Sequence, residues 1–210
     1  MKNRGSLVVI SGFAGAGKGS ILNEMMKRHE GYAYSVSATT RPPRPGETDG
    51  VNYFFISREK FREMIDRGEL LEYASYVDNY YGTPRSYVER MLDEGRDVLL
   101  EIDIQGAMNI RRSMPEALLV FVLPPSAKVL EKRLTGRGTE TPELVKKRLA
   151  RAAEEAAGVG DYDYIIVNDT IEESAESLHQ LIQAQRLKTS RNAPFIKQIR
   201  KELESFKQPD

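Results

Sequence analysis

The chain of 210 residues contains no cysteine and only two histidines. Without cysteine, the sequence excludes disulfide bonds, thiolate zinc sites and a cysteine nucleophile, and it fits a reducing compartment. His29 and His179 are far apart, in separate predicted helices, and we expect both to be ordinary surface residues. Metal binding through thiolate or imidazole ligands is therefore not expected.

Net charge is also absent, because 31 lysine and arginine residues balance 31 aspartate and glutamate residues. Such a chain has no global basic field that attracts nucleic acid or an anionic membrane, so any anion site must be local. The first apolar run, at residues 7–10, is much too short for a signal peptide, and no later run approaches a membrane span. We expect a cytoplasmic protein with no nucleic-acid or membrane partner.

Short apolar runs predict buried β-strands that alternate with helices. These runs are residues 7–10, 98–103, 118–123 and 164–168. The first is followed by an amphipathic helical pattern from Lys18 to Arg28, and runs of this kind are typical of parallel strands covered on both faces. We predict an α/β fold with a central parallel sheet flanked by helices and with ligands at the carboxyl ends of the strands.

Two segments interrupt this alternation. Residues 35–84 combine alternating or aromatic runs with prolines and glycines, which predicts a small, mostly antiparallel insertion. Within it, Ser57 is the predicted N-cap of a helix that ends at Gly68. Residues 136–160 are charged and alanine-rich, with a predicted helix start at Thr141 and Pro142, and this segment can close over a site as a lid.

The length favours a single domain. We divide it into a core (about residues 1–34, 85–135 and 161–187), the insertion (35–84), the lid (136–160) and a tail (188–210). In the tail, Phe195, Ile199, Leu203 and Phe206 recur at helical spacing, which predicts an amphipathic helix packed on the core or on another subunit. Monomer and homodimer both remain open.

A glycine-rich stretch, GFAGAGKGS at residues 12–20, follows the first predicted strand and opens the first predicted helix. It matches the G-x-x-x-x-G-K phosphate loop in the required strand–loop–helix context. Backbone N–H groups and the helix N-terminus would hold phosphates, and Lys18 would reach the β and γ oxygens. The ATP-binding residues predicted from this loop are Gly12, Phe13, Ala14, Gly15, Ala16, Gly17, Lys18, Gly19 and Ser20.

The loop departs from the usual pattern at one position. Gly19 follows Lys18 where a serine or threonine usually ligates magnesium, and the hydroxyl comes one residue later, at Ser20. We expect Mg²⁺ to be held largely by ATP and water, with Ser20 or Asp103 as candidate protein ligands. The loop alone does not separate a GTPase, a motor ATPase and a small-molecule kinase.

A second candidate anion site lies in the insertion. Arg41 and Arg44 stand three residues apart in a proline-rich stretch, and Tyr53 follows closely. Paired guanidinium groups with a tyrosine hydroxyl suit a phosphate monoester, although solvated surface charge explains the spacing equally well. The residues alone leave both interpretations open.

The order of motifs closely resembles the guanylate kinase family from about residue 7 to about residue 187. Besides the phosphate loop, the motifs are S-x-T-T-R-x-P-R-x-G-E at 37–47, N-Y-x-F at 52–55, L-E-Y-A at 71–74, N-Y-Y-G-T at 79–83, E-I-D-x-Q-G at 101–106 and R-L-x-G-R-G-T-E at 133–140. The resemblance implies the P-loop NTPase fold and a nucleoside-monophosphate kinase that transfers the γ-phosphoryl group of ATP to GMP or dGMP.

The same resemblance implies roles for individual residues. Those implied to grip the GMP phosphate are Ser37, Arg41, Arg44, Tyr53 and Tyr81, and those implied to read guanine are Glu72, Thr83 and Asp103. The implied catalytic cations are Lys18, Arg133, Arg137 and Arg148, with Arg137 or Asn168 near the adenine. Because the nucleophile is an already anionic phosphate oxygen, we expect no general base.

Two other functions fit parts of the sequence. A non-catalytic guanylate-kinase-like module would bind phosphorylated peptides and would need neither Lys18 nor an intact phosphate loop. A kinase of the same fold that acts on a phosphorylated sugar would not need Glu72 and Thr83. Titration with Mg-ATP tests the first alternative, and competition between GMP and other phosphorylated acceptors tests the second.

Overall fold

The structure, a computed structural model, describes residues 4–76, 78–136 and 141–207. In chain order its elements are β1 (Leu7–Gly12), α1 (Lys18–Arg28), β2 (Tyr32–Tyr34), β3 (Ala38–Thr39), β4 (Phe54–Phe55), α2 (Arg58–Asp66), β5 (Leu70–Tyr76), β6 (Asn79–Pro84), α3 (Arg85–Asp93), β7 (Asp97–Glu101), α4 (Ile104–Ser113), β8 (Leu118–Leu123), α5 (Ala127–Thr135), α6 (Pro142–Ala156), β9 (Tyr164–Val167), α7 (Ile171–Arg186) and α8 (Ala193–Glu204).

The main sheet contains five parallel strands in the order β2-β7-β1-β8-β9. β1 lies at its centre, where Val8 pairs with Leu99 of β7 and with Leu118 of β8. The predicted central parallel sheet and its four predicted strands are confirmed. Strand β2 was not predicted, because a three-residue strand that contains two tyrosines lacks a continuous apolar run.

Alternate side chains of β1 face the two sides of the sheet. Val8 and Ile10 pack in one cluster with residues of α1, α5 and α7, and Leu7 and Val9 pack in a second cluster with residues of α3 and α4. The central strands are therefore covered on both faces, as predicted. The edge strand β9 is different: Ile166 is buried but Ile165 is 55% exposed, so the prediction of burial on both faces was wrong for this strand.

A second sheet lies within residues 35–84, in the order β4-β3-β6-β5, and only its β3–β4 pair is parallel. This confirms a mostly antiparallel arrangement. Helix α2 begins after Ser57, whose Oγ accepts a hydrogen bond from the backbone N of Lys60 at 3.1 Å. The predicted run at 35–37 is not a strand, because Ser35 still donates to Leu99 of the main sheet while Ser37 already accepts from Phe54 of the second.

The predicted lid segment contains helix α6. It begins after Thr141, whose Oγ1 accepts from the backbone N of Leu144 at 3.3 Å, so the predicted helix start is confirmed. The loop between α5 and α6 includes Arg137, which lies outside the described residues.

The tail forms helix α8, but its apolar side chains are not packed on the core. Phe195, Leu203 and Phe206 are 58%, 57% and 79% exposed. The segment before α8 is instead joined to the core by Arg191, which donates to the Ser6 hydroxyl and to the carbonyl of Gly5 at 2.9 Å. Polar contacts made by that segment therefore replace the predicted apolar packing on the core.

The two histidines lie in contact, which corrects the expectation of separate surface residues. Because α1 packs beside α7, the rings of His29 and His179 stack with centroids 3.6 Å apart. His29 Nε2 lies 3.2 Å from a carboxylate oxygen of Glu176, and His179 Nδ1 lies 2.7 Å from the Tyr32 hydroxyl. Across residues 4–76, 78–136 and 141–207, no group of three His, Asp or Glu side chains is arranged to hold a metal ion.

Helices in these same ranges are all too short or too polar to cross a membrane.

Candidate nucleotide site

Two neighbouring cavities lie at the carboxyl ends of β1 and β7. The first, of about 340 Å³, is lined by the phosphate loop and by helix α6. The second, of about 260 Å³, is lined by residues of the second sheet. Glu101, Ile102 and Asp103, which follow one another at the end of β7, line both cavities. These three residues form a shared wall between two pockets, which is the arrangement that a two-substrate reaction requires.

The phosphate loop depends on glycines in a left-handed backbone conformation. Gly15 has φ 87° and Gly17 has φ 95°, values that side chains rarely adopt. A Cβ atom at Gly17 would also lie 2.2 Å from Nδ2 of Asn168. Lys18 opens α1 and its Nζ donates to the carbonyl of Gly12 at 2.7 Å. The loop therefore presents its lysine and the N-terminus of α1 at the first cavity.

Asn168 and Arg133 stabilise the phosphate loop through hydrogen bonds. Asn168 is 2% exposed and its Nδ2 donates to the carbonyl of Ala16 at 2.7 Å. Ser174 donates to Asn168 Oδ1 at 3.3 Å, and Arg133 donates to the Asn168 carbonyl at 2.8 Å. Both side chains predicted to meet ATP thus bond to backbone here, and their direct roles remain predictions.

The predicted acceptor-phosphate residues meet around Arg41. Its guanidinium group donates to both carboxylate oxygens of Glu47 at 2.9 Å and lies 5.4 Å from the centre of the Tyr53 ring. The rings of Tyr53 and Tyr81 are 6.0 Å apart. Ser37, Tyr53 and Tyr81 line the second cavity. The structure therefore brings four of these five residues together.

Arg44 is the exception, since its side chain is exposed and does not line the cavity. Its backbone N donates to Glu47 at 2.7 Å, which makes Glu47 the centre of this loop. The hydrogen bond from the Arg41 side chain lowers the pKa of Glu47 below its usual value, and the bond from the Arg44 backbone lowers it further. Glu47 belongs to the motif at residues 37–47 but had no predicted role. A carboxylate close in sequence to two arginines was the available signal.

A buried carboxylate lines the second cavity. Glu72 is 7% exposed and accepts a hydrogen bond from the Thr83 hydroxyl at 2.6 Å. The antiparallel pairing of β5 with β6, which places Tyr73 opposite Gly82, brings these two residues together. Burial raises the pKa of Glu72 to about 7, the Thr83 bond opposes that rise, and the charge of Asp103 adds to it.

Asp103 and Glu72 both lie at the N-terminus of α4. Asp103 caps this helix by accepting from the backbone N of Gly106 at 2.8 Å. A Cβ atom at Gly106 would lie 3.1 Å from Glu72 Oε2, so a larger residue would crowd the carboxylate. The structure thus places Glu72 and Asp103 in the lining of the second cavity, with the buried Thr83 bonded to Glu72.

Three charged residues that line the cleft received no role from the sequence. Glu101 accepts a hydrogen bond from the Tyr34 hydroxyl at 3.1 Å. Burial raises the pKa of Tyr34, and the charge of Glu101 raises it further. On α6, Arg151 and Glu155 line the first cavity beside Arg148, and Arg151 Nε donates to Glu155 at 3.0 Å. The spacing 148, 151 and 155 marks one face of a helix, and it was the signal available in the sequence.

Comparison with known proteins gives one consistent result. The family model described as guanylate kinase matches residues 4–185. The chain is 49% identical to a guanylate kinase of Clostridioides difficile (strain 630) over 98% of this chain and 97% of that protein. It is 48% identical to a guanylate kinase of Halalkalibacterium halodurans, with 90% and 93% coverage.

A solved structure agrees with these sequence matches. The crystal structure of guanylate kinase from Anaplasma phagocytophilum superimposes with a TM-score of 0.75 at 33% identity, covering 99% of this chain and 98% of that one. Together with the parallel sheet, the phosphate loop and the paired cavities, these matches confirm the resemblance found in the motifs. The chain belongs to the guanylate kinase family, the nucleoside-monophosphate kinases that transfer a phosphoryl group from ATP to GMP.

Proposed function

We propose that this chain transfers the γ-phosphoryl group of ATP in line to a phosphate oxygen of GMP or dGMP, without a general base. The observation that supports this most directly is the wall formed by Glu101, Ile102 and Asp103, which is common to both cavities. A triphosphate on the loop and a nucleoside monophosphate on the second sheet would meet across it. Holding two reactants in this way removes much of the entropic barrier to reaction.

ATP binds through the loop Gly12 to Ser20. Its backbone N–H groups and the N-terminus of α1 favour anionic oxygens. Lys18, whose Nζ donates to the carbonyl of Gly12, exchanges that carbonyl for phosphate oxygens. Asn168 and Arg133 keep the loop in shape, and any contact that they or Arg137 make with adenine or the transferring group belongs to the closed enzyme.

GMP binds with its phosphate between Arg41, Tyr53, Tyr81 and Ser37. Glu47 already occupies two donors of Arg41 and fixes the direction of the guanidinium plane, so the arginine is oriented before the phosphate arrives. The exposed side chain of Arg44 turns towards the bound phosphate. A dianionic phosphate is the ligand that matches two guanidinium groups and two tyrosine hydroxyls.

Guanine is selected by Glu72, with Thr83 and Asp103 beside it. Guanine presents N1–H and an exocyclic amine side by side, and a carboxylate accepts hydrogen bonds from both. Adenine has an acceptor at N1 and no amine at C2, so it would leave the buried carboxylate without partners. Rejection of this kind exceeds about 10³-fold in sites built from buried polar groups.

Transfer needs charge stabilisation and no removal of a proton, because the attacking oxygen of GMP is already anionic. Lys18 from the loop, Arg148 from α6 and Arg137 of the lid neutralise charge on the equatorial oxygens. The face of α6 that carries Arg148 lines the first cavity, which favours closure of the lid, residues 136–160, over bound substrate. Closure would also exclude water and limit hydrolysis of ATP.

Magnesium fits the oxygen groups of the first cavity. Asp103 and Glu101 line this cavity with Lys18, and Ser20 is exposed two residues after Lys18 in the first turn of α1. Hydroxyl and carboxylate oxygens suit Mg²⁺, which also keeps several water ligands. When bound with ATP, the ion supplies charge neutralisation at the β and γ phosphates.

We place the reaction in the cytoplasm, with the chain acting as a monomer or a homodimer.

The test is ADP formation from Mg-ATP with GMP, dGMP, AMP, UMP and a ribose phosphate in turn. We expect turnover with GMP and dGMP, and Glu72→Gln should lose most of the preference for GMP over AMP because an amide cannot accept from both donors of guanine. Glu69→Gln, an exposed carboxylate before β5, is the matched control and should keep that preference. Equal turnover of all acceptors by the unaltered chain would defeat the guanine assignment, and GMP binding without turnover would favour a binding module.

A further inference from the structure

The central strand loses one of its two neighbours just before the phosphate loop. On the β8 side, β1 stays paired through Gly12, which lies opposite Val122. On the β7 side, the pairing ends where Ile10 lies opposite Glu101, followed by one bond from the backbone N of Ile102 to Ile10 at 3.3 Å. The phosphate loop therefore leaves the sheet with a backbone ladder to β8 but with none to β7.

Ser11 makes a contact across this gap. It is fully buried, and its Oγ donates to the carbonyl of Ile102 at 2.8 Å. Residues 7–10 of the same strand are all aliphatic, so a polar side chain first appears in β1 at the point where the ladder to β7 stops. Most buried hydroxyls have a hydrogen-bond partner, and the partner of Ser11 is a carbonyl at the end of the neighbouring strand.

The carbonyl that accepts from Ser11 belongs to a residue that lines both cavities. Ile102 stands between Glu101 and Asp103 in the wall that the two cavities share. Ser11 directly precedes Gly12, the first residue of the phosphate loop. One hydroxyl thus joins the backbone that would carry ATP to the backbone that carries the wall of the GMP pocket.

We propose that Ser11 is a positioning residue for phosphoryl transfer, whose hydroxyl fixes the distance between the phosphate loop and the acceptor pocket. This inference rests on the proposed function and assigns a residue that touches neither substrate. Rates of in-line transfer are sensitive to displacements of about 1 Å between reacting groups. Each pocket by itself is built from other contacts, so loss of the hydroxyl changes the separation of the pockets and leaves each one able to bind its own nucleotide.

The experiment compares Ser11→Ala with Ser6→Ala. Ser6 is also buried and also loses one hydrogen-bonded hydroxyl, but it precedes β1 at the opposite end from the loop. We expect kcat of Ser11→Ala to fall about 10- to 100-fold, with KM for ATP and for GMP unchanged. Ser6→Ala should keep kcat even if both variants unfold at similarly reduced temperatures.

A second measurement uses a dinucleotide in which adenosine and guanosine are joined by five phosphates, because this probe spans both cavities at once. Ser11→Ala should weaken its binding by a fold-change similar to that in kcat, while GMP alone and ATP alone bind as before. Unchanged kcat, or an equal weakening of the separate nucleotides, would overturn the role of Ser11. If the unaltered chain showed no GMP-dependent turnover, the proposed function would fail, and the binding comparison would still test the coupling.

Discussion

The donor side of the cleft is built mainly from backbone, whereas the acceptor side is built from side chains. Residues 12–20 continue from the central strand of a five-stranded sheet and offer backbone N–H groups. Their glycines adopt a left-handed conformation, and the buried amide of Asn168 bonds to the loop. The acceptor pocket lies on a four-stranded sheet and uses guanidinium, hydroxyl and carboxylate groups. Main-chain groups recognise phosphate in any nucleotide, whereas the side-chain pocket can distinguish one base from another.

The two sides also differ in how their polar groups are held without ligand. Lys18 of the loop rests on a carbonyl, which bound phosphate can replace. In the acceptor pocket, Arg41 and Glu72 are already bonded to Glu47 and Thr83. Preorganised partners reduce the free energy spent on ordering side chains when GMP binds. The four predictions that follow test this division from the largest effect to the smallest.

Lys18→Ala should impair phosphoryl transfer from ATP without affecting the binding of GMP. Removal of one charged group that stabilises the transition state lowers kcat by about 10³-fold. GMP binding, measured by titration calorimetry, should stay unchanged because Lys18 does not line the acceptor pocket. A variant that lost GMP affinity as well would show that the two sides are not separable in this way.

Asn168→Ala should weaken ATP binding because it removes the shorter of two side-chain hydrogen bonds to the carbonyl of Ala16, leaving a bond of 3.4 Å from Arg133. Loss of one such bond costs up to about 1.5 kcal/mol, which corresponds to a rise in KM for ATP of up to roughly 10-fold. Ser174→Ala is the matched control: it removes a longer bond to the same amide and should have a smaller effect. KM for GMP should not change in either variant, and an equal rise for both substrates would contradict a donor-side role.

Acidification should weaken GMP binding before it affects ATP binding. The pKa of Glu72 is about 7, and guanine requires its ionised form. Affinity is therefore highest above this pKa and falls as the pH drops through it, by about tenfold at pH 6. Calorimetry between pH 5.5 and 8 measures this trend.

Glu72→Gln supplies the control for that titration, because it retains only the protonation of the GMP phosphate itself, whose second pKa is near 6. The pH dependence of the variant should be shallower than that of the unaltered chain. Parallel curves for the two proteins would assign the whole effect to the nucleotide and would remove Glu72 from the explanation.

Charges on the apolar face of α8 should have the smallest effect on catalysis. Arg191 joins the segment before this helix to residues at the start of β1, whereas both cavities lie at the strand's opposite end. Leu203→Glu combined with Phe206→Glu should leave kcat and both KM values unchanged. Light scattering on the same variant separates a monomer from a homodimer, and a loss of activity would connect the tail to the site.

The donor site was predictable because its parts are contiguous in sequence. A strand, a glycine-rich loop and a helix at residues 7–28 specify the geometry locally, and α1 begins and ends where the pattern predicts. The caps at Ser57 and Thr141 were predictable for the same reason, since a side chain bonds to a backbone N only three residues away. Short range makes each of these features visible in a single window of sequence.

The acceptor pocket was only partly predictable. Spacing alone left Arg41 and Arg44 equally compatible with surface charge, and the family motifs were needed to connect them with Glu72 and Asp103. Glu47, Glu101 and Arg151 received no role, because nearby arginines or helical spacing show which side chains lie together but not that they face a cleft. The adenine role of Asn168 stays a prediction, and the sequence did not show that its amide bonds to a loop 152 residues away.

By itself, the sequence determined the alternation of buried strands with helices, the phosphate loop and the helix starts, all of which follow from hydrophobic periodicity and contacts within a few residues. Only the tertiary structure decided which distant groups meet: the stacking of His29 on His179, the exposure of the edge strand β9 and of the α8 face, and the link from Ser11 to Ile102. These contacts depend on how strands and helices pack in three dimensions. A one-dimensional pattern records which residues are available but not which of them become neighbours.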